Sequence, residues 1–287
     1  MHKESHGFLY GILTALTSAA MAVFVKLAAD IPNETIVFFR FATGLPFILL
    51  VASFRNTHFS MREVPKHLVR GIAGFMSVYF YVYAVALIPL VNAVTLSNTA
   101  PLFMPILVMI WLRQLVSKWR FVAAGIGFLG VVILLRPGAA LLTWGSLFGV
   151  MTGLSSSIAV MGVRLLSKNE SVEKILLYYF TLSTVLGLYP MIVTWKPISH
   201  WMDWGYLGVI GVLSTVFQYV LTKTYTHAPA TKASMFNYLS VVFGGLAGWL
   251  IFGEVPDVLV WVGTALIIGG AILAFLDKTP PRPFKKA

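Results

Sequence analysis

The sequence contains no cysteine, and charged side chains make up only 11% of its 287 residues. The lack of cysteine excludes a disulfide framework, a thiolate metal site and a cysteine nucleophile. The scarcity of charge excludes an ordinary soluble domain, which carries about 25% charged residues. Acidic residues number 10 against 21 Lys and Arg, leaving a net charge of +11. The six histidines (His2, His6, His58, His67, His200, His227) fall in or near predicted connections and show no metal-ligand spacing. No Ser/His/Asp grouping lies inside an apolar run, and no glycine-rich loop could cradle a phosphate. These gaps argue against an enzyme, a bound cofactor or metal, and direct ATP coupling.

What the sequence does have is hydrophobicity, 58% of residues, spread evenly along the chain. Its basic residues sit in short clusters between long apolar runs. They form no continuous stripe with interleaved aromatics, so nucleic acid is not the expected partner. A helix needs about 20 apolar residues to cross a hydrocarbon core roughly 30 Å thick. Runs of that size occupy 7–29, 34–54, 67–88, 90–112, 117–136, 143–166, 173–195, 204–226, 229–252 and 256–276. A β-barrel would show ten-residue segments of alternating polarity, and these runs do not alternate. The expected fold class is an all-α integral membrane protein of ten transmembrane helices in a lipid bilayer. Ala20-Met21-Ala22 resembles a signal cleavage site, but the run from Gly7 to Ala29 exceeds a signal h-region of about 7–15 residues. It reads as a retained first helix.

Charge then sets orientation. With the N-terminus inside, seventeen Lys and Arg lie on the cytoplasmic side, three (Lys26, Arg136, Lys196) lie outside, and Arg40 falls within a span. Cytoplasmic loops carry such an excess, so both termini are expected in the cytoplasm. The final stretch from Lys278 holds three prolines and four cationic side chains and reads as a disordered basic tail.

The two halves repeat each other. At an offset of 138, Gly7, Leu9, Gly11, Thr14, Leu16, Ser18, Val25 and Leu27 meet Gly145, Leu147, Gly149, Thr152, Leu154, Ser156, Val163 and Leu165. At an offset of 140, Pro89, Ala93, Phe103, Val122 and Gly130 meet Pro229, Ala233, Phe243, Val262 and Gly270. The expected organisation is a five-helix repeat at 1–138, a second at 139–277, and a tail at 278–287. Five is odd, so the second repeat enters the membrane from the opposite side. Inverted repeats are a building plan of secondary transporters, with the substrate site near the midplane where the repeats meet.

Several stretches carry a resemblance to a known family. They are Phe38-Phe39-Arg40-Phe41, Arg70-Gly71, Ala86-Leu87-Ile88-Pro89 running into Ala100-Pro101-Leu102-Phe103, Phe252-Gly253-Glu254, Trp261-Val262-Gly263 and Gly269-Gly270. In this order, and across both halves, the chain resembles the drug/metabolite transporter superfamily, and within it the EamA-type ten-helix permeases. The resemblance implies a helical bundle around a central cavity and export, or in some members uptake, of amino acids and related metabolites across the bacterial inner membrane. Smaller relatives of this architecture flip lipid-linked intermediates. The family commonly has a glutamate closing the fourth helix as well as the ninth; here Gln114 stands at the first position and Glu254 at the second.

A charge at the centre of a membrane helix costs at least about 2.5–3.5 kcal/mol, so polar residues at depth are the candidates. Arg40 is the one clear ionisable group within a span. It either faces a cavity and binds a substrate carboxylate bidentately, or snorkels toward Asp30 or Glu34. In the run 90–112, Pro101 frees the carbonyl of Ser97 and Pro105 that of Pro101. Ser97 and Asn98 beside that opening are candidate cavity walls. Their repeat equivalents are Asn237 and Tyr238. Gln218 lies midway along the run 204–226, beside Tyr219. Tyr79 and Tyr83, four apart, share a helix face that could wall a cavity or pack as core. Gly71, Gly74, Gly244, Gly245 and Gly248 suit close helix approach. The tryptophans sit mostly near run ends, as interfacial anchors do. The function expected from all this is a secondary transporter exporting a small polar metabolite, an amino acid or amino-acid-derived carboxylate, with an opine-like metallophore among the options. Uptake of a nucleoside-like or cofactor-like metabolite and a lipid-intermediate flippase are the alternatives. The sequence names neither a coupling ion nor an oligomeric state, and a homodimer stays open.

Overall fold

In a bilayer each backbone N–H and C=O must be satisfied within the chain, which leaves the helix as the solution for long non-alternating runs. The computed structural model describes residues 2–55, 63–115, 117–135, 143–227, 236–277 and 282–283. Its helices are α1 (His2–Leu27), α2 (Asn33–Ala42), α3 (Leu45–Phe54), α4 (Val64–Leu87), α5 (Leu90–Ser97) and α6 (Ala100–Leu112). They continue as α7 (Lys118–Leu135), α8 (Trp144–Leu166), α9 (Val172–Thr194), α10 (Trp201–His227), α11 (Phe236–Phe252) and α12 (Val258–Leu276). Among the described residues, seven stretches are long and apolar enough to cross a membrane: Leu9–Leu27, Asn33–Phe54, Val64–Leu87, Leu90–Trp111, Trp144–Leu166, Val172–Thr194 and Trp201–Thr226. Three further apolar helices, Phe121–Gly130, Ser240–Phe252 and Val258–Gly270, are shorter.

Two of the expected spans are broken. The break between α5 and α6 follows from Pro101, which sits in the first turn of α6 and cannot donate back to Ser97. There Asn98 N–H bonds back to Val94, and Leu102 N–H reaches only Thr99. The break between α2 and α3, at Thr43–Gly44, was not anticipated from the sequence. A Cβ on Gly44 would lie 2.5 Å from the Phe180 ring, so the chain passes α9 too closely for any side chain there. Pro46 then opens α3.

The core sits between the helices of the two halves. Met21, Val25, Phe41, Val82, Leu90, Leu176, Phe180 and Ile210 belong to one buried cluster. Phe41 lies edge-on to Tyr179 and Phe180, with ring centroids 5.2 and 5.7 Å away. α1 packs on α10 and α11, α4 on α8, α5 on α8 and α11, α2 on α9, and α7 on α12. The glycines of α11 permit the approach to α5: a Cβ on Gly244 would meet Val94 at 3.0 Å and one on Gly245 would meet Val91 at 3.2 Å.

The outside of the bundle is apolar. Phe54, Trp201, Leu250 and Val258 are exposed, as are Trp111, Trp119, Trp144, Trp195, Trp204 and Trp249. Such a surface fits lipid rather than water. The segment expected to be a free tail departs from that expectation within the described residues. Arg282–Pro283 pairs antiparallel with Gln114–Leu115, the one strand pairing among the described residues.

Candidate substrate cavity

Residues of α1, α2, α4, α5, α8, α9, α10 and α11 enclose a cavity of about 100 Å³ inside the bundle. Arg40 is 2% exposed and lines it. Of the two readings open to Arg40, snorkelling does not occur: its Nε donates to Ser214 Oγ at 2.9 Å, across the bundle on α10. Glu34 is engaged elsewhere, accepting from the Tyr83 hydroxyl. Arg40 also stands in the last turn of α2, where helix carbonyls favour a cation. Nη1 of Arg40 is buried without a partner.

Arg70 corrects the sequence-based expectation that Arg40 is the sole ionisable group at depth. The run was expected to begin at residue 67, which placed Arg70 among the inner-loop charges. Helix α4 begins at Val64 instead, and Arg70 lies two turns into it, 3% exposed. Its Nη2 donates to Gln218 Oε1 at 3.1 Å, and its guanidinium lies 3.9 Å from the Tyr179 ring centre. Its Nε is buried without a partner. The sequence did carry a sign of this placement. Gly74, one turn on, has no room for a side chain because the Arg70 guanidinium and the Tyr179 ring occupy that space.

Neither arginine has a carboxylate within ion-pairing distance among the described residues, and no Asp or Glu lines the cavity. A guanidinium offers five donors. Here Arg40 meets the Ser214 hydroxyl, Arg70 meets the Gln218 amide oxygen and Tyr179, and each keeps one buried donor without a partner.

Of the other expected residues, Ser97, Asn98 and Gln218 line the same cavity. Ser97 Oγ is buried and unpartnered, while Asn98 Nδ2 donates to Val94 O at 2.8 Å. Tyr79 and Tyr83 do not line it. They stack on one another with centroids 5.1 Å apart, and Tyr83 reaches Glu34. The tyrosines at the cavity are Tyr81, on the opposite face of α4, and Tyr179. Tyr81 Oη is buried and unpartnered. Period 3.6 separates Tyr81 from the 79/83 face, and only packing against α8 and α9 decides which face turns inward. The side chains of Asn237 and Tyr238 lie outside the described residues; the helix carrying them, α11, packs against α5. His67, expected near a connection, is buried in the first turn of α4 and stacked on Tyr178 at 3.9 Å.

An apolar helical bundle enclosing a small cavity lined by cationic and hydroxyl groups defines a multi-pass membrane protein. The chain belongs to the EamA-like transporter family, whose model matches residues 5–136 and again 143–276. It is 30% identical over 268 residues to the pseudopaline exporter of Pseudomonas aeruginosa, covering 93% of this chain and 94% of that protein. It is 27% identical to a riboflavin transporter of Vibrio cholerae (93% and 92% covered) and 25% identical to an S-adenosylmethionine uptake transporter of Rickettsia bellii (92% and 91%). A solved crystal structure shares the fold with a TM-score of 0.71 at 17% identity, over 94% of this chain and 98% of that one.

Proposed function

We propose that the protein is a secondary carrier that exports an amino acid or amino-acid-derived carboxylate by alternating access. The observation that carries this is Arg40, a buried cation on the cavity wall that, among the described residues, bonds the Ser214 hydroxyl, has no carboxylate partner and keeps an orphaned donor. An unpaired cation in low dielectric is costly, and a substrate carboxylate would offset that cost when it binds. The pseudopaline exporter among the relatives favours export.

In this reading the chain crosses the bacterial inner membrane ten times, as inverted repeats at 1–138 and 139–277. A basic tail occupies 278–287, and both termini are cytoplasmic. The packing supports it. α1, first in its half, lies on α10 and α11; α8, first in the other half, lies on α4, α5 and α6. Those are corresponding elements with the halves exchanged, as a two-fold arrangement requires. Uptake of a nucleoside-like or cofactor-like metabolite is the second reading. It draws on the riboflavin and S-adenosylmethionine relatives and on Tyr81 and Tyr179 in the cavity wall.

Everted and right-side-out vesicles given labelled amino-acid-derived carboxylates in the outside medium separate the two. Accumulation in everted vesicles supports export. Accumulation only in right-side-out vesicles supports uptake, and no carboxylate flux in either would sink the proposed substrate class.

A further inference from the structure

We infer that the cavity is a two-anion site, built for a substrate with two carboxylates joined by a short chain. This rests on the carrier reading above and narrows its substrate. Two guanidiniums, not one, line the same cavity, Arg40 from α2 and Arg70 from α4. Both are held by one helix. Ser214 takes Arg40 and Gln218 takes Arg70. Ser214 and Gln218 are four residues apart on α10, so they share a face and stand about 6 Å apart along its axis at 1.5 Å per residue. The two anchors therefore stand one turn apart on a single helix, and both guanidiniums line the one cavity. Like charges sharing one cavity repel in a low-dielectric interior, and among the described residues no carboxylate lines it to relieve them.

Each guanidinium keeps an orphaned donor, Nη1 of Arg40 and Nε of Arg70. Arg70 is not free to swing away: it is stacked on Tyr179, with Gly74 leaving the space it fills. A single carboxylate could neutralise one cation and would leave the other buried and uncompensated. Two carboxylates neutralise both. The unpartnered hydroxyls of Ser97 and Tyr81 on the same wall supply acceptors for an ammonium or secondary amine in the linker. The ligand class this defines is a dicarboxylic amino acid or an N-carboxyalkyl amino acid.

The test uses matched pairs that differ by one charge: glutamate and glutamine, and 2,2′-iminodipropionate and its monoamide. Binding to the purified full-length protein is followed by calorimetry and thermal shift. Charge-assisted hydrogen bonds to a buried partner predict that a diacid binds about tenfold or more tightly than its monoamide. In Arg70→Gln the preference is expected to fall to within about twofold, and Arg70→Lys to keep part of it as a point charge without the fork. Equal binding of diacid and monoamide to the native protein overturns the two-anion site but leaves a one-carboxylate carrier standing. A folded Arg70→Gln with the full preference also overturns it, as does inorganic phosphate matching the diacids, because one bridging dianion would then suffice. A protein that binds neither member of either pair, and moves no carboxylate in vesicles, overturns the carrier reading as well. The comparison of pairs on the native protein stands even where the variants fail to fold.

Discussion

Glu254, between α11 and α12, is ion-paired with Lys26 in the last turn of α1, and its other carboxylate oxygen accepts the Leu90 N–H at 2.7 Å. One side chain thus ties α1, α5 and the α11–α12 connection. The start of α5 needs such an acceptor, because no side chain of its own caps it after Pro89. Gly253, at φ +67°, turns the connection. At the corresponding position of the first half stands Gln114, which cannot form an ion pair. The latch is ionic at one end of the bundle only, the outer end in the proposed topology.

Glu254→Gln should loosen that outer end. Losing a partly buried charge-assisted contact is worth roughly 1.5–3 kcal/mol, enough to move a two-state balance about tenfold. A cysteine placed at Ser77, on the cavity wall, then reacts about tenfold faster with an impermeant maleimide added outside. The native chain has no cysteine, so the readout has no background. An unchanged rate removes the latch from the mechanism.

Arg40→Gln should abolish carboxylate transport, by about a hundredfold or more, without destabilising the fold. Removing a buried cation that lacks a counter-ion relieves desolvation and leaves no orphaned carboxylate behind. The melting temperature in detergent should hold or rise. A loss of both transport and stability would instead mark Arg40 as structural.

Gly74→Ala places a methyl against the Arg70 guanidinium and the Tyr179 ring, 2.6 Å from one ring carbon. Overpacking of this kind costs about 1–3 kcal/mol. Displacement of Arg70 should weaken diacid binding more than monoamide binding. Gly125→Ala is the control, because open space surrounds its Cβ position; equal effects of the two would detach Gly74 from the site.

The proposed topology predicts that single cysteines at Lys3 and Lys285 both label only after the inner membrane is permeabilised. Labelling of one and not the other in intact cells would leave an odd number of crossings and break the repeat model.

Much of this was legible in the chain. The freed Ser97 carbonyl was readable because proline acts locally, since Pro101 has no N–H wherever the helix lies, but the full break between α5 and α6 was not. Arg40, Ser97, Asn98 and Gln218 were readable because polar groups inside apolar runs are conspicuous. Arg70 was not, because it follows His67 near the start of its run and the charge pattern alone cannot tell a helix turn from a loop. Tyr79 and Tyr83 were favoured over Tyr81 because two aromatics on one face look like a wall. Yet that face turns toward Glu34 and Phe148, with Tyr83 5.4 Å from Phe148.

Hydrophobic run length and charge asymmetry by themselves determined that this is a helical membrane protein, since a helix satisfies its backbone within one segment and each run carries its own answer. The tertiary structure alone decided that two arginines from separate helices line one cavity, each bonded to α10, with no carboxylate among the described residues that line it. Rotation of α4 about its axis is set by the helices packed on it, and no local pattern encodes those neighbours.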